Sequence, residues 1–214
     1  MIYPKDFVNK FLEGDSLEIM KQVPDGAIDL VVTSPPYNLH NTTSGGSWPQ
    51  PKDKTKVSMA NAYDNYNDNL PHLEYVKWQR EVLAECMRLI PEDGGIFYNH
   101  KWRVQDGLLQ SRQDIVEGFP VRQIIIWKRS GGFNYSVKFF LPMYEVIYLI
   151  AKPEFKLNRE AVGRGDVWQI SQEYNTPHPA PFPVQLADTI ISSTKAQLIL
   201  DPFINTFFPL VKFI

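Results

Sequence analysis

An α/β fold with a largely parallel sheet is what this sequence predicts. Short apolar runs rich in β-branched residues alternate with amphipathic stretches along the chain. Two of those runs stop at Ser34-Pro35-Pro36-Tyr37 and at Asp201-Pro202-Phe203, and α/β sheets bind ligands just beyond such strand ends. The 214 residues, 43% of them hydrophobic and 21% charged, suffice for one domain, 1–214, with a buried core.

The elements follow in order. Asp15 or Ser16 can cap a short helix from Ser16 to Val23, which Pro24-Asp25-Gly26 breaks. Ala27 to Val32 reads as a buried strand, and it must end at the two prolines, which cannot continue a central strand. Residues 38–70 hold almost no aliphatic side chains, as in a mobile loop, a lid or a binding loop. A clear helix spans about Pro71 to Ile90, with Leu73, Val76, Leu83, Met87 and Ile90 at helical spacing. Gly95 to Asn99 reads as a strand, and 104–117 as a weaker helix. Val121 to Trp127 and Met143 to Ala151 are strong strands. Pro183 to Ser193 starts with proline in its first turn and reads as a helix, and Gln197 to Leu200 as a last strand.

Composition narrows the function. A net charge of −2 rules out a uniformly basic nucleic-acid coat. A single cysteine, Cys86, excludes an internal disulfide framework and a cysteine-rich metal site, and the four histidines show no ligand spacing, so no metal is expected. No apolar run is long enough to cross a membrane, the start is too charged for a secretory signal, and the expected location is cytoplasmic. Charge is nevertheless uneven. Between Pro120 and Gly165 eight Lys and Arg face three acids, a surplus of five, which leaves −7 for the rest. Such a segment suits phosphate binding, with Lys128, Arg129, Asn134 and Lys138 as candidate DNA contacts. A solvated loop with scattered lysines would show the same count.

The stiff turn Ser34-Pro35-Pro36-Tyr37 carries the chemistry. It freezes one hydroxyl and one or two carbonyls in fixed directions beside an aromatic face. That set fits an amine on a flat heterocycle: the Ser34 oxygen and the Pro35 carbonyl accept from the NH₂, Tyr37 stacks on the ring, and fixed acceptors stabilise positive charge developing on nitrogen. By itself, a Pro-Pro turn is more often only a stiff turn.

Here VVTSPPYN resembles the catalytic motif of the amino-methylating DNA methyltransferases, which modify cytosine N4 or adenine N6 with S-adenosylmethionine. The order of segments, with this motif first and Leu200-Asp201-Pro202-Phe203 late, is similar to the circularly permuted class of that family. The resemblance covers roughly Gly14 to Phe203. It implies a Rossmann-like sheet of the S-adenosylmethionine-dependent methyltransferase type, and double-stranded DNA as partner. It implies Ser34, Pro35, Pro36 and Tyr37 as catalytic residues. Asp15, Asn38, His178, Phe182, Asp201, Pro202 and Phe203 are implied around the cofactor, and 120–176 in target recognition. Ser at the head of the motif leans toward cytosine N4.

One departure stands out. The family's donor loop carries glycines after Asp-Pro-Phe, and this chain has Asn205 and Phe207 there. With 13 residues after Asp201, the expectation is a cofactor-binding half, 177–214, that is incomplete at its C-terminus, with weak cofactor binding. Two further readings are a catalytically dead remnant that only binds DNA, and a methyltransferase acting on protein amines or amides.

Overall fold

A computed structural model describes residues 1–38, 70–105, 107–132, 135–173 and 182–203. The expectations for a mobile 38–70 loop beyond residue 38, for Asn134, for His178 and for 204–214 lie outside these residues.

The chain runs α1 (Ser16–Met20), β1 (Leu30–Thr33), α2 (His72–Leu89), β2 (Gly95–His100), β3 (Arg103–Gln105), β4 (Leu108–Gln110), α3 (Gln113–Val116), β5 (Val121–Lys128), β6 (Tyr144–Ala151), β7 (Val167–Gln169), α4 (Val184–Ser192) and β8 (Ile199–Leu200). Six strands form one sheet in the order β7-β5-β6-β2-β1-β8. β1 pairs in parallel with β2 and β8, and β5 with β7, whereas β6 is antiparallel to both of its neighbours, β2 and β5. The sheet is therefore mostly parallel with β6 alone reversed, which puts the start of β6 at the same edge as the ends of β1, β2 and β5.

Both faces are covered, as the continuous apolar strands require. Val31, Ile96, Tyr98, Val146, Tyr148 and Ile150 point to the face held by α2 and α1. Leu30, Val32, Phe97, Ile147, Leu149 and Ala151 alternate to the other, under α4, Trp127 and Phe155. Gly95 opens β2 because a Cβ there would lie 2.7 Å from the Phe155 ring. The Asp29 carboxylate seats β8 on β1 by accepting from the Gln197 and Leu198 amides at 2.8 and 2.9 Å.

Two expectations are corrected. The stretch 104–117 is not one helix: β3 and β4 form a hairpin, and only Gln113–Val116 is helical. The Asp-Gly pair at 106–107 is the signal that decides it, since Gly107 takes φ +80° in the hairpin turn. The buried stripe of α2 is Tyr75, Gln79, Val82, Leu83, Cys86 and Leu89, while Leu73 is 80% exposed. β7 carries no apolar run that would announce it in the sequence, and its pairing with β5 makes it a strand.

Candidate active site

The carboxyl edge of the sheet gathers the residues that matter. β1 ends at Thr33, and Ser34-Pro35-Pro36-Tyr37 turns away from it. Pro35 and Pro36 are buried, and the Pro36 carbonyl accepts from the Tyr75 hydroxyl at 2.7 Å. The turn is thus anchored from α2 as well as stiffened by its own rings.

Ser34 and Tyr37 face a buried polar cluster. Ser34 Oγ and the Tyr37 hydroxyl are 2.9 Å apart. Tyr37 donates to Glu145 Oε2 at 2.8 Å. Asn99 Nδ2, from the end of β2, reaches Tyr37 at 2.6 Å, Glu145 Oε2 at 2.9 Å and Ser34 Oγ at 3.3 Å. The other oxygen of Glu145 lies 3.4 Å from Arg129, which also donates to the Pro142 carbonyl at 3.0 Å. Among the described residues, Asn99 Oδ1 and Arg129 Nε are buried without a partner. Buried polar atoms left unpaired are costly and collect at functional sites.

The Tyr37 ring stacks on His100, centroids 4.7 Å apart and planes 23° apart, so one of its faces is covered. Burial first, and then the positive charge of Arg112, hold the His100 imidazole neutral, well below its ordinary pKa.

On the adjacent strand, Asp201 follows β8. Its Oδ1 accepts from Thr33 Oγ1 at 2.7 Å and from the Phe203 amide at 3.0 Å. Both bonds fall on one oxygen, which leaves Oδ2 available among the described residues to an amino or hydroxyl group. Burial pushes the Asp201 carboxyl up to about 6, against the pull of those two bonds. Phe203 packs edge-on against Trp78 at 5.4 Å, and Pro202 stands between Asp201 and Phe203 in the turn. An acid with a spare oxygen beside a fixed aromatic wall fits the amino-acid or ribose part of a nucleoside cofactor.

The remaining sequence-derived residues are placed as follows. Asp15 caps α1, accepting from the Leu17 and Glu18 amides at 2.8 and 3.2 Å. Asn38, in the left-handed region at φ +57°, is spent on the chain itself: its amide bonds the Leu70 carbonyl and amide, both at 2.8 Å. These bonds join Asn38 to Leu70, 32 residues along the chain. Phe182 packs edge-on against Trp127. Lys128 and Lys138 are exposed, but Arg129 is only 5% exposed and points inward to Glu145, so it does not present its charge to a phosphate. Glu145 and Asn99 carry the cluster and were not singled out by sequence reasoning. A lone acid on an otherwise apolar strand, MYEVIYLIA, is the one signal that marked Glu145.

Residues 28–206 match the model of the N6 and N4 methyltransferase family, described as DNA methylase. The type II methyltransferase M.BglII of Bacillus subtilis is 28% identical over 95% of this chain and 61% of its own length. The chain thus spans about three-fifths of that relative. Among solved structures, the cytosine-N4-specific PvuII DNA methyltransferase is 20% identical with a TM-score of 0.62, over 88% of this chain and 71% of that one. M1.HpyAVI in complex with S-adenosylmethionine is 16% identical with a TM-score of 0.52, over 89% and 79%. These two likenesses show that the chain shares the fold of those methyltransferases.

Proposed function

The chain belongs to the N6/N4 DNA methylase family, and from that premise we propose that it transfers a methyl group from S-adenosylmethionine to the exocyclic amine of a base flipped out of double-stranded DNA, cytosine N4 before adenine N6. The observation that carries this reading is the Thr33–Asp201 bond of 2.7 Å. It joins the acceptor turn of β1 to the acid of β8, so an amine held by the first lies beside a donor held by the second.

The roles follow from the geometry. S-adenosylmethionine supplies an electrophilic methyl on a sulfonium. Asp201 Oδ2 and the Phe203 ring hold it, with Pro202 shaping the turn, and Asp15 and Phe182 line its surroundings. Ser34 Oγ and the Pro35 carbonyl accept the amine hydrogens, which directs the nitrogen lone pair away from the ring and stabilises the positive charge it gains. The Tyr37 ring stacks on the base. Lys128 and Lys138 neutralise phosphates.

Asn205 and Phe207, where the family has glycines, favour a second reading in which the chain binds DNA without transferring methyl. One experiment separates them. The chain is incubated with methyl-labelled S-adenosylmethionine and mixed-sequence duplex DNA, and the digested nucleosides are chromatographed. Label in N4-methyldeoxycytidine is expected. Label on adenine N6 corrects the base, and DNA binding without label selects the second reading. Label on protein alone overturns both.

A further inference from the structure

We infer that Glu145 is a positioning residue for Ser34: through Tyr37 it sets the direction of a hydrogen-bond chain and so makes the Ser34 oxygen an acceptor for the target N–H. This rests on the amino-methylation reading above.

The direction follows from counting hydrogens. An ionised carboxylate only accepts. Tyr37 therefore spends its single proton on Glu145 Oε2, 2.8 Å away. Asn99 Nδ2, at 2.6 Å from the Tyr37 oxygen, has only hydrogens to offer. Either atom of the 2.9 Å Ser34–Tyr37 contact could donate on distance alone. With Tyr37's proton committed, Ser34 must be the donor. Its own hydrogen is then turned inward, and its oxygen, which accepts from Asn99 Nδ2 at 3.3 Å with one lone pair, meets an incoming amine with the other.

A glutamine at 145, its amide oxygen kept on the Arg129 cation, reverses the chain. Its NH₂ donates to Tyr37, Tyr37 donates to Ser34, and Ser34 turns its hydrogen out against the target. Aspartate keeps an acceptor and so keeps the direction. Arg129 and Asn99 hold the carboxylate in place, at 3.4 and 2.9 Å.

The test uses the full chain as wild type, Glu145→Gln, Glu145→Asp and Tyr37→Phe. The first readout needs no cofactor. Tyrosine labelled with ¹³C at Cζ is observed by NMR, and Tyr37→Phe assigns the Tyr37 signal. Glu145→Gln should move that signal, while Glu145→Asp leaves it near the wild-type position. A Glu145→Gln signal coincident with wild type overturns the inference. The second readout is methyl transfer. Glu145→Gln should lower kcat about 100-fold, the scale seen on losing one preorganised partner, with KM for DNA within about threefold. Glu145→Asp should stay within about tenfold of wild type. Equal losses in the two variants would mean that Glu145 serves only folding, and would overturn the inference. Tyr37→Phe cuts the link but spares the Glu145–Arg129 pair, so it keeps the test open if Glu145→Gln does not fold. It should lose at least about tenfold in kcat, and an undiminished kcat overturns the inference. A wild type that transfers no methyl refutes the amino-methylation reading alone, and the NMR arm still decides the direction of the chain.

Discussion

Around Ser34 three strand ends converge. β2 brings Asn99, β6 brings Glu145 and the end of β5 brings Arg129, and each of these side chains is less than a tenth exposed. Around Asp201 the described bonds come from Thr33 and the Phe203 amide alone, on a strand two residues long. The Ser34 side, the proposed acceptor, is thus held by side chains from distant parts of the chain, and the Asp201 side, the proposed donor site, largely by its own turn. A preorganised acceptor needs no reorganisation when its target arrives, whereas a sparsely tied acid takes its final geometry from what binds it.

The sharpest way to break this contrast is to remove the cation from the acceptor side. Arg129→Met leaves Glu145 buried and uncompensated, and should cost about 3–5 kcal/mol of stability in urea unfolding. A loss no larger than that of a surface arginine would show that the cluster is not preorganised by this pair.

Tyr37→Ala removes the stacking face and leaves His100 uncovered. Binding of duplex DNA carrying an unpaired target base should weaken by about 1–3 kcal/mol, measured by fluorescence anisotropy.

On the donor side, Thr33→Val takes one of two bonds from Asp201 and should cost about 1–2 kcal/mol. Its pH dependence sharpens the contrast. Burial raises the folded Asp201 carboxyl to about 6 from an ordinary 3.8, so the folded state binds its proton more tightly than the unfolded chain. Stability from this group is therefore full below about pH 4, declines as pH rises to about 6, and is level above that. Thr33→Val should extend the decline to higher pH. Thermal midpoints from pH 3.5 to 8 test this, and stability that rises over pH 4–6 in Asp201-dependent fashion would contradict it.

The smallest effect lies outside both halves. Lys128→Gln with Lys138→Gln should reduce the slope of log binding constant against log salt by about two. An unchanged slope would place the phosphate contacts elsewhere.

What could be read from the sequence was local. Consecutive prolines cannot continue a central strand, so Ser34 to Tyr37 could be placed at a strand end from its own residues. Glu145 could not, because its relation to Tyr37 spans 108 residues and exists only through the reversed direction of β6. Arg129 shows the limit of charge counting: it adds to the basic segment, yet its guanidinium is consumed inside the molecule. The 104–117 error was of another kind. Its apolar residues can be fitted to a helical period, and only the glycine at 107, with its positive φ, shows that the chain reverses there.

The place of β1 in the sheet has a consequence for how the molecule is made. β1 leaves the ribosome before both of its partners, pairing on one side with β2 and on the other with β8, whose neighbour Asp201 lies 168 residues beyond Thr33. Synthesis at roughly 5–20 residues per second leaves that second edge of β1 unpaired for on the order of ten seconds or more. During that interval the nascent sheet displays the unpaired backbone groups of an apolar strand. Asp29, which later receives the Gln197 and Leu198 amides, stands at the start of that open edge, and in the waiting chain its charge guards the strand against pairing with a neighbour on the same polysome.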